Sequence, residues 1–209
     1  MINLNLFVLV LFVPFTHSCK CLPKSFHEAY CQSDFVISGK VATGMRMSVG
    51  NIYLQDFVLE THKVFFQKTE IFKEGQTTVV LTPRALDLCS ADLIKNKHYL
   101  LGGSIKRNTV YVTSCGLIKE WSLLPKHLKK AMRKGKLSCA CMVTGCNSEI
   151  CSRDIGGLFQ PNQCQLGTSR ACYEENGVCT LNNGTCEWTK LSKKKVLTCL
   201  NKAVNFNER

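Results

Sequence analysis

The 14 cysteines constrain this chain more than any other feature, and all of them lie after residue 18. An even number of cysteines at this density is typical of secreted domains stapled by disulfides. In the chain-entropy treatment, each disulfide that closes a long loop adds roughly 3–4 kcal/mol of stability. The chain therefore does not need to rely on an apolar core alone.

The first 18 residues predict a signal peptide. Residues 6–15 form an apolar run that matches a signal-peptide core and is too short to span a bilayer. Thr16 and Ser18 place small residues where a signal peptidase cuts. We therefore expect a protein secreted to the extracellular space or matrix, without a membrane span. A buried apolar strand is the alternative interpretation of the run.

Cleavage after Ser18 would make Cys19 the first residue of the mature chain, with a free α-amino group. The amine and carbonyl of one residue form a five-membered chelate, and a catalytic zinc with three protein ligands keeps a position open for such a ligand. The amine binds when deprotonated, and its reference pKa of about 7.7–8.0 makes that proton easy to release. The alternative is that Cys19 and Cys21 are ordinary staples at a frayed terminus.

The formal net charge of +12 comes largely from two lysine-rich segments, residues 126–136 and 190–195. Extracellular basic patches bind sulfated glycosaminoglycans, anionic membranes or acidic protein faces, and salt weakens that binding. A solvated helix face is the alternative for each segment.

Nucleic acid is not an expected partner because no binding module is recognisable. No paired carboxylates, phosphate loop or nucleophile motif appears, so we expect a protein that is not an enzyme. A secreted hydrolase is a further alternative, but it would need a catalytic constellation that the sequence does not show.

Five strand-like runs predict a mainly β chain with a few helices and a small closed barrel. The runs are residues 35–41, 52–59, 77–81, 98–101 and 109–113.

A helix is predicted after the strands. Pro125 suits its first helical position, and Gly135 is placed to end it. Its apolar face would pack on the barrel while the basic residues face solvent, with Leu124, Leu128, Ala131 and Met132 on the apolar face. Cysteines become dense after Cys139, so we place a domain boundary there. The predicted division is residues 1–18 as signal peptide, 19–139 as barrel domain and 140–209 as a disulfide-rich C-terminal domain.

Several motifs stand in a fixed order along the chain. Cys19-Lys20-Cys21-Leu22-Pro23 is followed by residues 31–37, by residues 89–93 and by residues 113–115 before Trp121. Cys139, Cys141, Cys146 and Cys151 come next with characteristic spacing, and Cys186-Glu187-Trp188 comes late. Together these motifs resemble the tissue inhibitors of metalloproteinases, and the first two are similar to the mature amino terminus of that family. The resemblance covers the mature chain, closely to Cys151 and loosely beyond. It implies a netrin-like OB-fold barrel of five strands, followed by a small disulfide-rich β domain.

The resemblance also implies a disulfide pattern, which the sequence alone cannot choose among roughly 10⁵ pairings. The implied pairs are Cys19–Cys89, Cys21–Cys115, Cys31–Cys139, Cys141–Cys186, Cys146–Cys151 and Cys164–Cys179. The family typically has 12 cysteines, so Cys172 and Cys199 are surplus here. We pair these two with each other, and an exchange of roles between Cys164 and Cys172 is the alternative.

The function implied by the resemblance is inhibition of zinc metalloproteinases. The inhibitor would be a monomer without a cofactor of its own, and would contact the protease zinc through the amine and carbonyl of Cys19 in a 1:1 complex. The implied protease-contacting residues are Cys19, Lys20, Cys21, Leu22, Pro23, Asp87 and Leu88. The alternative is a netrin-like matrix or receptor-binding module that inhibits nothing and acts through its basic patches. Such a module would not need a terminus that starts on cysteine.

Lys20 departs from the family, in which the second mature residue is usually small, often Thr, and points into the protease specificity pocket. An unpaired ammonium in an apolar pocket is unfavourable, and each 1.4 kcal/mol or so is tenfold in affinity. We therefore expect Lys20 to shift inhibition toward a protease with an acidic or solvent-open pocket, or to abolish it. Separately, Asn183-Gly184-Thr185 is an N-glycosylation sequon, although Cys186 beside it is a possible hindrance.

Overall fold

The computed structural model of this chain describes residues 19–22, 24–47, 54–84, 89–144, 162–165, 170–189 and 194–199. A short helix, α1 (Phe26–Cys31), precedes six strands. These strands are β1 (Phe35–Met47), β2 (Leu54–Gln67), β3 (Thr77–Pro83), β4 (His98–Lys106), β5 (Thr109–Tyr111) and β6 (Leu117–Glu120). A 3₁₀ turn (Trp121–Leu123) and helix α2 (Lys126–Arg133) follow them.

The first five strands close a barrel. β1 pairs with β2 on one edge and with β4 on the other, while β3 joins β2 to β5 and β5 returns to β4. All these pairings are antiparallel except the parallel pair of β3 and β5. The closed order confirms the predicted mainly β fold with a five-stranded barrel. β6 adds a further antiparallel pairing to β4.

Period-two alternation places large apolar side chains inside the barrel. Phe35 and Ile37 of β1 and Phe57 and Leu59 of β2 are completely buried there. The opposite face of β1 is buried too, because Val36 packs with Leu100 in a second cluster beneath α1 and α2. The outer face of β1 therefore supplies the seat for both helices.

The prediction that Pro125 is the first helical residue is wrong. Helix α2 begins at Lys126, and Pro125 is its N-cap, with an extended ψ of 140°. Gly135 does end the helix: its φ is +60°, and its N–H donates to Met132 O at 3.0 Å. Lys136 N–H donates to Ala131 O at 2.9 Å, which completes a Schellman cap. The predicted apolar face is buried.

The chain after Cys139 forms small elements. Strand β7 (Met142–Thr144) pairs in parallel with β8 (Gln163–Gln165), and helix α3 (Arg170–Asn176) leads into a hairpin of β9 (Val178–Asn182) and β10 (Thr185–Thr189). Residues 194–199 are helical. The buried cluster of this region is mostly cystine sulfur, with one valine: Cys141, Val143, Cys164, Cys179 and Cys186.

The C-terminal region contacts the barrel through α1 and α2. Phe26 N–H donates to Glu174 Oε1 at 3.1 Å, and His27 Nε2 donates to Cys141 O at 2.9 Å. Val178 packs against Leu128 of α2 in a small apolar cluster. The proposed boundary at residue 139 remains a prediction. Within the described ranges, no helix is both long and apolar enough to cross a membrane.

Candidate functional site

Two disulfides clamp the first described residues, Cys19–Leu22, to the barrel; we call this segment the N-terminal ridge. Cys19 is bonded to Cys89, in the connection from β3 to β4, and Cys21 is bonded to Cys115, in the connection from β5 to β6. The two loops are themselves joined, because Ser114 N–H donates to Cys89 O at 2.9 Å. The ridge is therefore tied to two loops that the sheet already holds together.

The two ridge disulfides lie directly against each other. Cys115 Sγ is 3.3 Å from Cys89 Sγ and 3.6 Å from Cys19 Sγ, and Cys19 Sγ is 3.8 Å from Cys21 Sγ. These separations are packing contacts, since cystine sulfur carries no proton to donate. The packing leaves little room for either disulfide to move alone.

The ridge presents its side chains to solvent. Lys20, Cys21 and Leu22 are exposed, Leu22 by 83%, and Cys19 is half-buried. Leu22 is thus an apolar side chain held in solvent next to the Cys21–Cys115 disulfide. The other predicted contact residues, Pro23, Asp87 and Leu88, lie outside the described residues.

Helix α1, which follows the ridge in the chain, begins with a reciprocal cap. Ser25 Oγ accepts a hydrogen bond from Glu28 N–H at 2.9 Å, and Glu28 Oε2 accepts one from Ser25 N–H at 2.7 Å. This reciprocal capping box satisfies two backbone donors, and Ser25 is fully buried. Two disulfides thus anchor the ridge, and the capping box fixes the start of the helix that follows it in the chain.

The structure contains four further disulfides between described cysteines. They are Cys31–Cys139, Cys141–Cys186, Cys164–Cys179 and Cys172–Cys199. Cys172 and Cys199 are therefore joined to each other, and Cys164 and Cys172 do not exchange partners. The Cys146–Cys151 pair lies outside the described residues. None of the described cysteines is free.

A band of cations runs along helix α2. One groove of about 310 Å³ is lined by Lys126, Lys129, Lys130, Arg133 and Lys134. A neighbouring cavity of about 580 Å³ shares Lys130 and Lys134, adds Lys136, and is walled on its other side by residues of β9 and β10. No carboxylate lines either space among the described residues. Of the second lysine-rich segment, Lys194 and Lys195 are exposed, and residues 190–193 lie outside the described part.

Trp121 joins this basic band to an aromatic stack that sequence reasoning missed. Its ring stacks on Phe65 and His98, with centroids 6.0 and 5.3 Å away. Lys129 Nζ and Arg133 Cζ lie 5.4 and 5.7 Å from the ring centroid, within cation–π range. Burial lowers the pKa of His98, and the nearby His62 and Lys129 lower it further. Four separate elements contribute these side chains, so no local pattern in the sequence signals the stack.

Asn183 lies at the exposed tip of the β9–β10 hairpin. Asn183 and Gly184 have φ values of +48° and +81°, the left-handed conformations that a two-residue Asn-Gly turn requires. The buried Cys186 follows closely. Glycosylation at Asn183 stays a prediction.

The chain is similar in sequence to a known protein family and to several of its members. The sequence profile described as tissue inhibitor of metalloproteinase matches residues 17–188. Metalloproteinase inhibitor 3 of Xenopus laevis is 28% identical over 130 residues, which are 61% of this chain and 59% of that protein. The same-named protein of Scyliorhinus torazame is 28% identical over 137 residues, 63% of this chain and 61% of the relative.

Metalloproteinase inhibitor 2 of Bos taurus is 25% identical over 159 residues, which are 73% of this chain and 69% of that protein. The chain thus spans about three fifths of the length of the first two relatives. The profile match, in contrast, runs from the ridge through the barrel to Trp188 in β10. On that match, this chain belongs to the tissue inhibitor of metalloproteinase family.

Proposed function

We propose that this protein is a secreted, monomeric inhibitor of zinc metalloproteinases that acts through its N-terminal ridge in a 1:1 complex. The observation that carries the proposal is the exposed ridge held by two packed disulfides. The names of the relatives, metalloproteinase inhibitors 2 and 3, support the same class of activity. In this proposal the protein is not an enzyme and needs no cofactor of its own.

The proposed contact is a chelate of the protease zinc by Cys19. Its α-amine, deprotonated, and its carbonyl oxygen would take the coordination position that water otherwise occupies in the protease. The amine loses its proton readily near neutral pH, so little free energy is needed to deprotonate it for binding. Because the ridge disulfides already order this backbone, little conformational entropy is left to lose on binding.

Lys20 is the proposed determinant of which proteases are inhibited. Its side chain is exposed and forms no ion pair with another described residue. An unpaired ammonium is disfavoured in an apolar pocket and favoured beside a carboxylate. We expect inhibition of metalloproteinases with acidic or open specificity pockets, and weaker inhibition of those with apolar ones.

The test uses the secreted protein, first sequenced from its amino terminus to establish that it begins at Cys19. Acetylation of that terminus, or one added alanine before Cys19, should weaken inhibition about 100-fold or more, because roughly 3 kcal/mol of zinc binding corresponds to that factor. The matched control adds one alanine after Arg209, which lengthens the chain equally and leaves the α-amine of Cys19 free. Full inhibition by the blocked protein would disprove the chelate.

A second arm tests Lys20. The Lys20→Thr variant and the unmodified protein are measured against a panel of metalloproteinases with apolar and acidic pockets. We expect a gain on apolar pockets and a loss on acidic ones. If substitution improves no inhibition, the proposed role of Lys20 is wrong while the chelate stands.

A second candidate function, binding of sulfated glycosaminoglycans, is favoured by the acid-free grooves along α2. Replacing Lys126, Lys130 and Lys134 by Gln should lower the salt concentration needed to elute the protein from heparin. The matched control replaces Lys63, Lys73 and Lys106, which line neither groove. Equal elution of both triple variants would rule out a site on α2.

A further inference from the structure

We propose that a groove beside the N-terminal ridge, lined in part by Lys24, binds an acidic side chain on the surface of the target metalloproteinase. The inference rests on the proposed inhibition and adds a second specificity-determining residue to it. Lys20 is the proposed contact with the specificity pocket, whereas Lys24 contacts the protease surface outside that pocket. The preferred protease therefore carries a carboxylate beside its active-site cleft.

The groove adjoins the ridge and has a volume of about 210 Å³. Its lining includes Cys115, whose Cα is 5.2 Å from the Cα of its disulfide partner Cys21 in the ridge. Lys24 lines the same groove and follows Leu22 closely in the chain. A protein–protein interface of standard size covers about 800 Å² on each partner. A protease seated on the ridge therefore also covers the groove, which begins one disulfide away.

Lys24 brings a positive charge to the groove that no neighbouring acid balances. Within the described part of the chain, no carboxylate lines the groove, and Lys24 is exposed without an ion pair. The two carboxylates nearest to it in the sequence have other partners. Glu28 Oε2 accepts the Ser25 N–H at 2.7 Å, and Asp34 Oδ1 accepts a hydrogen bond from Lys68 Nζ at 2.7 Å. The charge of Lys24 therefore complements a carboxylate supplied by the protease.

The rest of the lining suits a single carboxylate better than a polyanion. Ser104, Tyr111 and Thr113 line the groove, and no hydrogen bond between described residues engages their hydroxyl groups. Each hydroxyl can donate to a carboxylate oxygen, and bonds to an ionised acceptor are stronger than neutral ones. One cation with several neutral donors matches one acidic side chain, in contrast to the row of cations along α2.

The same chemistry disfavours proteases that lack the acid. An apolar segment laid over the groove would take the Lys24 ammonium out of water without a partner, which is unfavourable. A basic segment would repel it. Charge complementarity at the edge of an interface acts mainly on the association rate, and salt weakens it. Lys24 should therefore set how fast different metalloproteinases are captured.

The first experiment measures association rates with a metalloproteinase that the secreted protein inhibits, at low and at high ionic strength. Lys24→Gln should slow association about tenfold at low ionic strength and much less at high ionic strength. Lys24→Arg keeps the charge and should retain the rate. The matched control, Lys73→Gln, removes the same charge from an exposed lysine that does not line the groove, and should change the rate little.

The second experiment locates the carboxylate on the protease. A carbodiimide joins an ammonium and a carboxylate that touch into an amide, and the reagent takes up the water that leaves. Peptide mass spectrometry of the treated complex should find Lys24 joined to an Asp or Glu of the protease. Replacing that residue by its amide should abolish the difference between the unmodified protein and Lys24→Gln.

The outcomes separate this inference from the proposed inhibition. If the protein inhibits but Lys24→Gln and Lys73→Gln associate equally fast, the groove has no such role and the proposed inhibition is unaffected. The absence of any crosslink from Lys24 to the protease would overturn the inference in the same way. A secreted protein that inhibits no metalloproteinase would overturn both.

Discussion

The barrel and the region after Cys139 bury different kinds of side chain. Inside the barrel the fully buried side chains are large and apolar, Phe35, Phe57 and Leu59 among them. In the C-terminal region the buried cluster is mainly cystine, around Cys141 and Cys186. The barrel therefore has an apolar core of its own in addition to its disulfides. The C-terminal disulfides, in contrast, replace a core.

Phe57→Ala should give the largest loss of stability. This ring is completely buried in the barrel, and such truncations typically cost about 3–5 kcal/mol because a cavity remains. Denaturant unfolding followed by near-ultraviolet circular dichroism measures the change. Val79→Ala, at a half-exposed position of β3, is the control and should have a much smaller effect. Similar losses in both variants would contradict an apolar-core barrel.

Cys141→Ser with Cys186→Ser should destabilise the C-terminal region by about 2–5 kcal/mol, the usual effect of removing a native disulfide from a small domain. Limited proteolysis should then cut residues after 141 first, while the unfolding midpoint of the barrel changes little. The control, Cys21→Ser with Cys115→Ser, should loosen the ridge, which Cys19–Cys89 still holds, and spare the C-terminal region. If the first variant unfolds the barrel as well, the stability of the barrel depends on the Cys141–Cys186 disulfide, and the expected difference between the two regions is wrong.

His27 should give the smallest effect, a loss of stability on acidification. Burial lowers the pKa of His27, and its hydrogen bond to Cys141 O only partly opposes this. Above a pH of about 6.5 the residue is neutral in both states, so it has no effect on the pH dependence. Below that pH the unfolded chain binds the proton first, so folding becomes less favourable by at most about 1.4 kcal/mol per pH unit until the folded pKa is passed.

Comparison of His27→Gln with the unmodified protein at pH 7.5 and 5.5 measures this effect. The variant should lose less stability on acidification than the unmodified protein. His98, whose pKa is also lowered by burial, contributes to both proteins and cancels in the comparison. An unchanged pH dependence in His27→Gln would show that protonation of His27 does not change the stability of the protein.

Local patterns predicted most of the barrel. Alternating apolar residues indicated the five barrel strands, and the apolar stripe ending at Gly135 indicated α2, because period and chain breakers are local properties. The extent of β2 to Gln67 and the presence of β6 were not predicted. Both depend on pairing with distant strands: Gln67 lies opposite Phe35, and Leu117 opposite Gly102.

The candidate site divides in the same way. The Cys19-Lys20-Cys21 motif and its family resemblance identified the ridge, since residue order along the chain carries that information. The packing of the two ridge disulfides into a cluster of four sulfurs, and the stack of Trp121 on Phe65 and His98, were not foreseen. Each needs side chains from several elements at angstrom distances, and only the closed barrel brings those elements together.

The sequence by itself thus determined the mainly β class, the reliance on disulfides, the basic charge and the position of the ridge. Each follows from composition, period or motif, which are properties of neighbouring residues. The tertiary structure alone decided which cysteine sulfurs touch across the two ridge disulfides, where the acid-free grooves lie and which histidine is buried against Cys141. These features depend on distances between residues far apart in the chain, and those distances exist only after the sheet has closed.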